Sequence, residues 1–145
     1  MSEHVLVPVD GSEPSFAAVR HAARHHPGVT VTVLHVVDPS EGVLGEADTA
    51  FYSRVTIENA MDRGHQMCER ARELMAEEAT DGPRQVDEHV EIGRPAETIL
   101  DFAADHDVDH IVMGSAGRSD VSRLLLGSVA ETVVRRASIP VTIVR

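Results

Sequence analysis

At 145 residues, 42% of them hydrophobic, the chain is long enough for one domain, residues 1–145, with a single substantial core. Its 24 acidic residues outnumber 13 basic ones, all arginine with no lysine, and the formal net charge of -11 disfavours nucleic-acid partners, whose backbone affinity comes from cationic neutralisation. No segment approaches the ~20 apolar residues of a membrane span, and the single cysteine, Cys68, excludes an internal disulfide and a zinc-type cysteine set.

His4 to Val9 (HVLVPV) is a near-continuous apolar run, the pattern of a parallel strand covered on both faces. Asp10 and Gly11 end it, Ser12 is placed to cap a helix whose first turn tolerates Pro14, and Phe16, Ala17, Val19 and Ala23 carry that helix to about His25. Val29 to Val37 (VTVTVLHVV) is β-branched and reads as the second strand. Pro39 to about Thr56 has no clear period and reads as a mobile connection, covering a ligand or facing a partner. From Ile57 to Met75 helical spacing returns as a long amphipathic helix, whose methionines and Cys68 suit core packing rather than metal or redox chemistry.

Gln85 to Ile92 alternates as a strand near a sheet edge. A third helix follows Gly93, Arg94 and Pro95, burying Ala96, Ile99, Leu100 and Ala103; Val108 to Met113 is the fourth strand, Ser128 to about Ala137 the fourth helix, and Pro140 to Val144 the last strand. Alternation of strands and helices argues for an α/β fold with one parallel sheet and helices on both faces.

The stretch Gly114 to Ser128 (GSAGRSDVSRLLLGS) joins the fourth strand to the fourth helix with a G-x2-G-x9-G-S spacing. Ser128 followed by Glu131 has the form of a capping box, which starts the helix at Ser128. Glycines ahead of a helix start allow close backbone approach, and first-turn N–H groups with the positive dipole end favour an anion, so the stretch is a candidate phosphate cradle. It is neither G-x-G-x-x-G nor a Walker loop. The plainer reading is that Gly114 and Gly117 turn the chain while Gly127 lets a helix pack closely.

GSAGRSDVSRLLLGSVAETVV resembles the ATP-binding signature of the universal stress protein family. VPVDGSEPS near the start, VLHVVD in the second strand and IPVTIVR at the end fit that family in order, and the resemblance covers nearly the whole chain, least well from Pro39 to Thr56. It implies a flavodoxin-like, Rossmann-like five-stranded sheet of order 3-2-1-4-5, with a crevice between the carboxyl ends of the first and fourth strands. Pro8 and Asp10 would then lie at ribose and adenine and the Val36 backbone at the adenine edge. Gly114, Ser115, Gly117, Arg118, Ser119, Gly127, Ser128 and Val129 would surround ribose and triphosphate. Asp10 would hold Mg²⁺ or Mn²⁺ with the phosphates, or a ribose hydroxyl; its alternative role is to cap the next helix. Ala116 and Asp120 depart from the polar or basic residue and the small residue of many relatives. The resemblance further implies a homodimer paired through Pro140 to Val144, and an ATP-binding (or AMP-binding) protein of stress response or signalling, with at most slow or partner-dependent hydrolysis.

Other patterns carry less. His106 and His110 with Asp105, Asp107 and Asp109 straddle a helix-to-strand junction and read as a solvated acidic loop rather than a chelate. His25 and His26 suit the carboxyl end of a helix dipole. A receiver-type phosphorylation switch needs a lysine that the chain lacks, a flavin carrier would stack more aromatics, and a structural dimer with a vestigial pocket would not need the glycine signature. The run of Met1 to Val9 into a strand leaves no secretory signal and points to the cytoplasm. The acidic, lysine-free surface is the kind a halophilic archaeon would carry, since hyperthermophiles enrich lysine.

Overall fold

Strand parity explains the architecture. In β1 (His4–Pro8), β2 (Thr30–Val37) and β4 (His110–Gly114), alternate residues point to opposite faces, and both faces are apolar. Val5, Val7, Val31, Val33 and Val112 are buried on one face beneath α1 (Glu13–His25) and α2 (Ala50–Glu78), which contribute Val19, Cys68 and Met75. Leu6, Leu34, Ile111 and Met113 are buried on the other, beneath α3 (Pro95–Asp105) and α4 (Ser128–Arg136) with Ile99, Phe102 and Val133. β3 (Val86–Ile92) and β5 (Val141–Val144) are the edges of the parallel five-stranded sheet, of order β3-β2-β1-β4-β5. The computed structural model describes residues 3–40, 50–79, 85–115 and 126–145.

The register sets where the sheet opens. β1 pairs with β2 from His4↔Thr30 to Pro8↔Leu34, and the Val9 N–H still donates to the Leu34 carbonyl at 2.8 Å. β2 continues to Val37 alongside β3, so Val36 and Val37 overshoot β1. Chain order reverses between β1 and β4, whose carboxyl ends therefore bound a crevice.

Two local expectations are corrected. α2 begins at Ala50, so the second part of the segment read as an irregular connection is helical. Once its later turns are anchored on the sheet, helix propagates backwards at one hydrogen bond per residue, and no Gly or Pro in 50–56 interrupts it. The capping box at Ser128 does not form. Ser128 is already helical, Gly127 (φ -64°, ψ 159°) is the N-cap, and the Glu131 N–H donates to the Gly127 carbonyl at 2.9 Å. The Glu131 carboxylate instead lies 3.6 Å from Arg135, one turn on.

Candidate functional site

Asp10 follows the end of β1 and is half-buried. Its Oδ1 accepts the Ser12 N–H at 2.9 Å, an Asx turn that fixes the carboxylate direction. Gly11, at φ 84°, makes the turn possible, and a side chain there would also press on Met67 of α2. The buried Ser12 hydroxyl accepts the Ser15 N–H at 3.2 Å, the expected cap of α1. Ser15, also buried, donates its own hydroxyl to the Ser12 carbonyl at 2.9 Å. The loop after β1 is thus held by hydrogen bonds within itself.

Across the crevice, the Ser115 N–H donates to the Val144 carbonyl at 2.9 Å, extending the β4–β5 ladder, while the Ser115 carbonyl accepts the Gly127 N–H at 2.7 Å. The two ends of the glycine stretch, twelve positions apart, are therefore joined at the start of α4. Gly127 offers no side-chain cap, so the first-turn amides of α4, including Ser128 and Val129, lie at the crevice mouth with no cap from the N-cap residue and no side-chain partner among the described residues. The positive end of the helix dipole is aimed there too. Gly114 brings α1 close: a Cβ on it would meet the Pro14 carbonyl carbon at 2.6 Å and the Ser15 nitrogen at 2.8 Å.

Of the residues the sequence singled out, Pro8, Asp10, Val36, Gly114, Ser115, Gly127, Ser128 and Val129 stand at the carboxyl ends of β1, β2 and β4 or at the start of α4. Gly117, Arg118 and Ser119, with Ala116 and Asp120, lie outside the described residues. Sequence reasoning missed Ser15 and His35. His35 donates Nδ1–H to the Val9 carbonyl at 2.8 Å, tying the end of β1 to β2. Its signal was a single polar residue inside the β-branched run of the second strand.

The comparisons with known proteins point to one family. The family model described as the universal stress protein family matches residues 1–145. The chain belongs to that family. A universal stress protein of Thermus aquaticus is 37% identical over 148 residues, covering all of both chains. The solved structure of MJ0577, a universal stress protein of Methanocaldococcus jannaschii, superposes with a TM-score of 0.79 at 28% identity, covering 99% of this chain and 96% of that one. A universal stress protein of Archaeoglobus fulgidus, solved in complex with dAMP, gives a TM-score of 0.65 at 25% identity over 100% and 98% of the two chains.

The donor set suits a nucleotide with its metal. The Asp10 carboxylate has lone pairs beyond the one that Ser12 uses, and Mg²⁺ takes one or two carboxylates together with substrate phosphates.

Proposed function

We propose that the crevice between β1 and β4 binds an adenine nucleotide, ATP or AMP, and that the protein acts in stress response or signalling through nucleotide-dependent conformational or partner switching. The observation that carries this reading is the start of α4, drawn against Ser115 by the Gly127 N–H and left without a side-chain cap at the sheet's point of reversal. The adenine nucleotide bound by the Archaeoglobus relative supports the ligand class. Pro8, Asp10 and Val36 take the ribose and adenine; Gly114, Ser115, Gly127, Ser128 and Val129, with Gly117, Arg118 and Ser119, take ribose and phosphates. Asp10 holds Mg²⁺ or Mn²⁺, which when bound neutralises phosphate charge.

Hydrolysis is slow in this reading, because the chain has no lysine and backbone amides would carry most of the transition-state charge. Steady-state turnover of ~1–100 s⁻¹, the range of ordinary kinases, would overturn that part. The protein is further proposed to dimerise through β5, an edge strand that pairs only with β4 among the described residues, so that its other side is a template for its twin.

Calorimetric titration with ATP, with and without Mg²⁺, tests the site. Gly127 has dihedral angles open to any residue, so Gly127→Val adds no backbone strain while placing a branched side chain where phosphates would sit, and circular dichroism checks its fold. We expect it to lose most of the affinity, and Asp10→Ala to lose mainly the metal-dependent part. Undiminished affinity in a folded Gly127→Val protein would show that the glycine stretch is only structural.

A further inference from the structure

The amino ends of the strands carry a second cluster, at the opposite end of the sheet from the crevice. Glu3 precedes β1, His26 caps the carboxyl end of α1, and His110 opens β4. One ligand atom from each lies within 4.8 Å of the others. Glu3 Oε1 and His26 Nδ1 are 3.5 Å apart, and the His26 and His110 rings meet edge to face at 4.9 Å. We propose that Glu3, His26 and His110 form a binding site for a divalent transition metal of the zinc class.

The distances suit that ion. Ligands at about 2.0–2.1 Å around a tetrahedral centre stand about 3.4 Å from one another, so the Glu3–His26 pair is already at the required separation, and His110, within 4.8 Å of both, needs to close by no more than about 1.4 Å. Two imidazoles and one carboxylate, with a position left for solvent, form a known zinc donor set, whereas Mg²⁺ and Ca²⁺ prefer all-oxygen sites. Thr142 Oγ1, 2.7 Å from His110 Nε2, holds that ring in place, as outer contacts do for ligating imidazoles. His21 and His25, one turn apart on α1 with ring centroids 4.4 Å apart, stand beside the cluster, and His21 lies 6.4 Å from His26. The 13 residues of α1 separate this site from the crevice by about 20 Å, so occupancy of the two can be measured independently.

The test is Zn²⁺ titration of the tag-free full chain against a chromophoric chelator, in excess Mg²⁺ so that the acidic surface is already occupied. We expect one site per chain, weakened about tenfold or more by Glu3→Gln and by His26→Ala, with His65→Ala, an exposed histidine on α2, as the unchanged control. Cobalt(II) in place of zinc should give visible ligand-field bands in the wild type that both variants lose. Glu3 and His26 lie outside the core, so their variants retain the fold by circular dichroism. Zinc binding abolished by Mg²⁺, or equal affinity in wild type, Glu3→Gln and His26→Ala, would overturn the proposal.

Discussion

Gly114 and Gly127 look alike in the sequence but do different work. A Cβ on Gly114 would strike backbone atoms of Pro14 and Ser15, which cannot swing aside, whereas Gly127 has ordinary dihedral angles. Gly114→Ala should therefore destabilise the fold by about 1–3 kcal/mol, the usual cost of overpacking, read as a lower urea midpoint at unchanged slope. A midpoint equal to wild type would mean that α1 sits further from β4. The sequence marked Gly114 as a turn or cradle residue but gave no hint of the packing demand, because Pro14 lies a hundred positions away. Cys68 was legible from its helical spacing as core. Burial first, and the nearby Glu88 carboxylate second, push its thiol pKa up to about 12. The native protein should thus resist iodoacetamide at pH 8 and react only after unfolding; fast native labelling would contradict the packing of α2.

At the scale of elements, the order and kind of strands and helices followed from the apolar periods, while errors gathered at ends. α4 starts at Ser128 as its sequence implied, but its cap differs: Ser128 is the more favourable local cap, yet the structure gives that position to Gly127, which has no side chain to cap with. The pairing of His110 with His26 was invisible in the sequence for a related reason. His106 and His110 are near in sequence, but His106 stacks on Phe102 at 3.8 Å, and His110 instead meets His26 from the far end of α1. Topology alone brings that pair together. Burial, then the neighbouring imidazoles, lower the pKa of His21; burial, then His26, lower that of His110. The unfolded chain, with histidines near 6.5, binds more protons than the folded one in this range. Stability contributed here is present above pH 6.5 and lost as pH falls below it. In metal-free buffer the urea midpoint should drop from pH 7.5 to pH 5.5, with a shallower drop in His21→Asn. An identical drop in both proteins would assign the effect elsewhere.

For the whole molecule, the fold was open to reading because alternating β and α units with right-handed crossovers leave few sheet orders, and charge adds a property that no single contact shows. With 24 acidic and 13 basic side chains, one-to-one pairing would still leave 24 − 13 = 11 carboxylates without a cation. The pairs present, such as Arg24–Glu78 at 2.8 Å and Arg70–Glu77 at 3.4 Å, are largely exposed and worth ~0.2–1 kcal/mol each at most. Salt screens both these attractions and the surplus repulsion. The attractions are short-ranged, whereas the repulsion sums over the whole surface, so screening removes more destabilisation than stabilisation. At 1 M the Debye length falls to ~3 Å, and little of the exposed repulsion survives. The melting temperature should therefore rise steadily from dilute buffer to molar KCl. Sodium chloride should do the same, since the effect is one of ionic strength. A flat or falling curve in either salt would show that the surplus carboxylates are too far apart to matter.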